Sequence, residues 1–173
     1  MKYWFDTEFI EYPCTIDLIS IGIVCEDGRE FYGINQDCDF DQANDWVVEN
    51  VLCHLPHPWK KAEEAVWFDK ESLKNAIRRF VKQEYTPEFW GYYADYDWVV
   101  FCWLFGTMMD LPQGWPMYCR DIKQVADMFG IYELPKMKEE DKHHALNDAR
   151  WTKQAYDFIF ERKGEHIHQP ITA

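Results

Sequence analysis

The first thirty-five residues hold three apolar runs joined by connections too short to contain a helix. Tyr3, Trp4 and Phe5 open the first. Thr15–Cys25 (TIDLISIGIVC) is rich in Ile and reads as the second, and Phe31–Asn35 as the third. Glu26-Asp27-Gly28-Arg29 between the last two supplies a tight Asp-Gly turn. Neighbouring strands joined by such turns pair antiparallel, so the chain starts a sheet this way whatever follows.

Helical periodicity then takes over. Asp69 can cap a helix whose Leu73, Ala76, Ile77, Phe80 and Val81 form one apolar stripe, with Phe68 and Leu73 placed as a hydrophobic staple. Phe89–Tyr93 (FWGYY) predicts a short fourth strand, followed by an apolar helix over Trp98–Phe105 and a fifth strand over Met117–Cys119. Asp121 caps a helix carrying Ile122, Val125, Ala126 and Phe129. The last helix is expected over Leu146–Lys163, with Gly164 as its stop. Early strands followed by strands alternating with helices define an α/β domain, a mixed sheet flanked by helices. With no repeat, low-complexity tract or linker, residues 1–173 read as one domain.

The net charge of −13, from 31 acids against 18 bases, argues against a protein that coats long duplexes through their phosphates. It leaves room for an enzyme that grips only a strand end beside metal ions. The six cysteines are scattered without CxxC spacing and read as reduced thiols; Cys53-His54 with His57 lacks the second cysteine pair of a zinc site. No run reaches the roughly 18 apolar residues of a membrane span, and the opening residues are strand-like rather than signal-like, so a cytoplasmic protein is expected.

Against this background two carboxylates interrupt the first strand. Asp6 and Glu8, at i and i+2, point to one face roughly 6.5–7 Å apart. A solvated edge would tolerate them; a buried face would need a cation. In "GYYADYDWVVF" (Gly91–Phe101), Asp95 and Asp97 fall where strand gives way to helix. Helix capping accounts well for Asp95 and less well for Asp97. In "HHALNDAR" (His143–Arg150), just after the polar stretch "KMKEEDK", His143 and Asp148 stand at the start of the last helix. His144 could replace His143 on chemistry alone.

Three motifs in this order, "WFDTEF", "YYADYD" and H-x-A-L-x-D-A, resemble the DEDDh branch of the 3′→5′ exonucleases, and most closely its small stand-alone exoribonucleases. The resemblance spans nearly the whole chain. It implies a ribonuclease H-like fold and two divalent ions, Mg²⁺ or Mn²⁺, held by Asp6, Glu8, Asp97 and Asp148. Asp6 would bridge both ions, and His143 would be the general base. Two ions about 3.5–4 Å apart suit in-line phosphoryl displacement, and a histidine suits proton removal near neutral pH. The implied substrate is nucleic acid with a free 3′ end, RNA favoured over DNA, degraded to 5′-nucleoside monophosphates. Phe9 matches a family position packed on the terminal nucleotide; Thr7, Tyr93 and Trp98 are further substrate-contact candidates, with Trp4 and Trp59 as other stacking surfaces. A homodimer is also implied. The chain departs from the wider pattern at Asp95, where Asn is common; of Asp95 and Asp97, Asp97 is the expected ligand because it aligns with the aromatic before it, Tyr96, and with the helix start. A deoxyribonuclease of proofreading type and a silent nucleic-acid-binding protein are the rival readings.

Overall fold

A computed structural model of the chain describes residues 1–56, 67–82 and 86–167; Trp59 and His57 lie outside them. Among the described residues six strands form one mixed sheet: β1 (Lys2–Tyr12), β2 (Thr15–Cys25), β3 (Glu30–Asn35), β4 (Trp67–Phe68), β5 (Glu88–Gly91) and β6 (Arg120–Asp121), in the order β4-β3-β2-β1-β5-β6. β1 and β2 pair antiparallel, as do β2 and β3. β5 joins β1 in parallel, and β4 and β6 add in parallel at the two sides. The helices are α1 (Asp45–Asn50), α2 (Lys70–Phe80), α3 (Asp95–Phe105), α4 (Ile122–Met128) and α5 (Ala145–Ile167). This is the mixed sheet flanked by helices that the sequence predicts.

Period-2 alternation in β1 divides the core. Tyr3 and Phe5 face the α2 and α3 side, packing with Leu73, Ile77, Phe101 and Trp98. Trp4 faces the other way, into a cluster with Ala149, Ala155 and Ile159 of α5 and Ile122 and Ala126 of α4. Asp6 and Glu8 share the face of Trp4, and Thr7 shares that of Phe5. One strand therefore serves both sides of the site.

Several elements differ from expectation. β6 is Arg120–Asp121, whereas Met117–Cys119 is not a strand: the Met117 carbonyl accepts from Trp98 Nε1 (3.1 Å), and Met117 and Tyr118 are exposed. α3 begins at Asp95, a turn earlier than its apolar run suggests. α5 continues past Gly164 to Ile167, since an internal glycine weakens a helix without having to end it. β4 is too short to carry a pattern. α1 is capped by Asn44, whose side chain accepts from the Val47 N–H.

Candidate active site

β1 supplies the first two carboxylates from the middle of the sheet, and α5 brings the third. The approach of α5 depends on Gly22, the β2 partner of Asp6: a Cβ there would sit 2.3 Å from the Ala145 carbonyl oxygen. With no side chain at Gly22 and only methyls at Ala145 and Ala149, both fully buried, the first turns of α5 lie directly on the sheet. Asp148 thereby meets the β1 pair. One oxygen each from Asp6, Glu8 and Asp148 lie within 4.8 Å of one another.

Asp97 approaches from α3 on the opposite face. Its Oδ1 accepts the Thr7 N–H (2.8 Å) and the Thr7 hydroxyl (2.6 Å). Asp97 is buried and Asp95 is exposed, so the buried position of the two belongs to Asp97. Nor does Asp95 cap α3: the N-cap is Ala94, whose N–H is satisfied by Asp121 Oδ2 (2.9 Å) while Asp121 Oδ1 caps α4 through Gln124.

The electrostatics are those of crowded like charges. Burial, then Asp97, Glu8 and Asp148, raise Asp6 well above the usual carboxylate range. Burial and the charges of Asp148 and Asp97 raise Glu8 to about 8. Burial raises Asp97 to about 6 against the hydrogen bonds from Thr7. It raises Asp148 to about 6 against the backbone N–H groups of His144 and His143. Such a set is at odds with neutral pH by itself and fits hard divalent cations, which prefer oxygen ligands and remove the repulsion. Asp6, Glu8 and Asp148 could hold such a cation.

The two histidines separate clearly. His143 lines a cleft of about 570 Å³ together with Asp6 and Asp148. Its backbone is left-handed (φ 59°), an uncommon conformation for a side-chain-bearing residue. Burial, followed by the charges of Lys142 and His54, lowers its pKa. His144 turns away: its ring stacks on Tyr32 at 4.5 Å, and its N–H donates to Asp148 Oδ2 (2.9 Å).

Among the substrate-contact candidates, Phe9 follows a bulge after Glu8 and meets Tyr96 edge-on, ring centres 6.0 Å apart. Tyr93 is exposed, in a left-handed conformation, with its ring against Tyr92. Thr7 and Trp98 are engaged elsewhere: the Thr7 hydroxyl is taken by Asp97, and Trp98 is in the core against Phe5, Phe89 and Phe101. Trp4 is likewise core, against Tyr156.

Three features escape sequence reasoning. Trp46 of α1, half exposed, meets the His143 ring edge-on at 4.9 Å. Tyr92 and Trp151, 4.8 Å apart, form a wall of the cleft. Lys136 and Lys142 also line it. The glycine in the β2 run is the signal that could have located the α5 contact; nothing local marks Trp46.

A family model described as the 3′-5′ exoribonuclease Rv2179c-like domain matches residues 1–160. Two Mycobacterium tuberculosis proteins, 3′-5′ exoribonuclease MT2234.1 of strain CDC 1551 / Oshkosh and 3′-5′ exoribonuclease Rv2179c of strain ATCC 25618 / H37Rv, are similar to this chain. Each is 38% identical over 152 residues, covering 87% of this chain and 88% of the relative. Among solved structures, the Neurospora crassa Pan2 catalytic unit (protease and nuclease domain) aligns with 98% of this chain and 30% of that chain, at a TM-score of 0.43 and 13% identity. Because the family match covers residues 1–160 and relatives of that description are 38% identical over 87% of the chain, the chain belongs to the Rv2179c-like 3′-5′ exoribonuclease domain family, within the DEDDh exonucleases.

Proposed function

We propose that the protein is a metal-dependent exonuclease that removes 5′-nucleoside monophosphates from the 3′ end of single-stranded RNA or of 3′ overhangs. The observation that carries this reading is the meeting of Asp6, Glu8 and Asp148, with His143 in the same cleft, at the junction of β1 and α5. Asp6, Glu8 and Asp148 would hold divalent ions, Mg²⁺ or Mn²⁺, and Asp97, fixed by Thr7, would complete the set. When bound, two such ions supply charge stabilisation at the attacking and leaving oxygens of an in-line displacement. His143 stands at the edge of the cleft as the base that takes the proton of the attacking water. Its lowered pKa keeps it neutral, and therefore competent as a base, at neutral pH. Phe9, with Tyr96 against it, offers an apolar surface to the terminal nucleotide.

The same reading covers a single domain over the whole chain, working in the cytoplasm, where six unpaired cysteines are at home. It also covers a homodimer, supported by exposed Val99, Trp103 and Met109 along and beyond α3. Among the described residues no helix is long and apolar enough to cross a membrane.

The test uses metal-stripped protein with 5′-labelled RNA and DNA of one sequence, with and without Mg²⁺ or Mn²⁺, and Asp6→Ala as control. A metal-dependent ladder shortening from the 3′ end, faster on RNA and lost in the variant, is expected. Faster shortening of DNA would favour the deoxyribonuclease. No shortening by folded, metal-loaded protein would leave a binding role.

A further inference from the structure

The catalytic cleft does not end at the carboxylates. Lys136, Met137 and Trp151, which bound it on one side, also line a second hollow of about 430 Å³. That hollow shares Arg150 and Gln154 with a third, of about 460 Å³, reaching Phe158 and Glu161. The shared residues make one groove along α5 from Asp148 to Glu161, roughly 20 Å at the helical rise. We propose that this groove carries the upstream, 5′-side part of the RNA strand, held through its phosphates by Lys136 and Lys138. The proposal rests on the exoribonuclease reading and adds the path of the substrate.

Direction supports it. Along β1 the order is Trp4, Asp6, Glu8, Phe9. The groove leaves toward the Trp4 end, because Lys153 of α5 lies over the Trp4 ring (5.1 Å) and Tyr156 packs against it (5.2 Å). Phe9 and Tyr96 lie past Glu8, toward the other end. A terminal nucleotide on Phe9 puts the scissile phosphate over the carboxylates and sends the preceding nucleotides into the groove.

Charge and shape support it as well. Beyond the cleft the groove presents Lys136, Lys138, Arg150 and Lys153 against Asp141, Asp157 and Glu161, an excess of cations in a chain of net charge −13. Arg150 is anchored to Glu30 and Lys153 to Asp157. Lys138 is 76% exposed in a long 3.7 Å pair with Glu140, so its ammonium can turn to a phosphate at small cost. Trp151, fixed by its Nε1 donating to the Pro135 carbonyl (2.8 Å), stands where cleft passes into groove and offers a ring for a base to stack on.

The experiment compares kcat/KM for a heptanucleotide and a dinucleotide RNA in Mg²⁺ across a salt series. In the wild-type protein the heptanucleotide is preferred, and the preference shrinks as salt rises, as a phosphate grip requires. Lys136→Glu with Lys138→Glu lowers the heptanucleotide-to-dinucleotide ratio about tenfold and flattens its salt dependence, while Lys138→Arg keeps the wild-type ratio. Thermal melting of each variant shows that the fold is intact. An unchanged ratio in the folded double variant, or a wild-type protein with no preference for length, overturns the track and leaves the exoribonuclease reading standing. Failure of wild type to cut either RNA overturns that reading itself, and the track with it.

Discussion

Both donors of Thr7, its N–H and its hydroxyl, converge on a single oxygen of Asp97. The residue between the two β1 carboxylates thus fixes the fourth one, which comes from a helix on the opposite face of the sheet. The arrangement needs a strand at which consecutive side chains face opposite ways, and a hydroxyl short enough to leave no slack.

Thr7→Val keeps the shape and the N–H but removes the hydroxyl. A hydrogen bond to a charged group contributes roughly 1.5–3 kcal/mol. Loss of this one should lower kcat about tenfold and weaken Mn²⁺ binding, while Thr7→Ser retains both. Steady-state kinetics with calorimetric Mn²⁺ titration read this directly. Wild-type behaviour of the valine variant would count against a positioning role.

His143 and His144 are adjacent and should behave oppositely. His143→Ala is expected to lower kcat by about 10²–10⁴-fold, the usual scale for loss of a general base, with Mn²⁺ affinity nearly kept. His144→Ala removes a ring stacked on Tyr32 while leaving the N–H that serves Asp148, so its main effect is a lower melting temperature. Equal kinetic losses in the two variants would contradict the assignment of the base.

The metal-free protein should lose stability as pH rises. Its site acids have folded pKa values above their ordinary ones: Glu8 about 8, Asp97 and Asp148 about 6. At these acids the folded state therefore binds more protons than the unfolded state between about pH 4 and pH 8, and their contribution to the slope of stability with pH is negative there. Melting temperature should fall across that window in EDTA. Asp6→Asn, which removes one of the crowded charges, should reduce the fall, and Mg²⁺ should reverse it through binding to the folded form. A melting temperature that climbs with pH in EDTA would refute the crowding.

Gly22→Ala tests how α5 is seated. The added methyl would sit 2.3–2.4 Å from backbone atoms of Ala145 and Leu146, contacts that no side-chain rotation relieves. Overpacking of this kind costs about 1–3 kcal/mol. Because the helix that must shift carries Asp148, metal affinity should fall together with melting temperature. A variant that melts early yet binds Mn²⁺ normally would show that the carboxylates are not set by this contact.

Much of the site was legible because its residues follow local rules. Asp6 and Glu8 share a face by strand period alone. His143 and Asp148 stand together at a helix start, and the three early strands announce themselves through turns. The surroundings of the other candidates depend on contacts distant along the chain. Of Asp95 and Asp97, it is Asp97 that meets Thr7. Of His143 and His144, it is His144 whose ring stacks on Tyr32. Trp98 has the composition of a stacking platform but lies among Phe5, Phe89 and Phe101, which its local sequence does not reveal. The fifth strand was displaced because the sheet ladder from Trp90 and Gly91 reaches Arg120 and Asp121 rather than the more apolar residues before them.

Asp6 and Glu8 come from the first strand, and Asp148 from the last helix, nearly the whole chain later. On a ribosome the two β1 carboxylates emerge early, while α5 is still unmade. The carboxylate trio cannot close until that helix has been translated and has docked over Gly22. A site divided in this way between β1 and α5 is absent from any nascent chain that still lacks the helix.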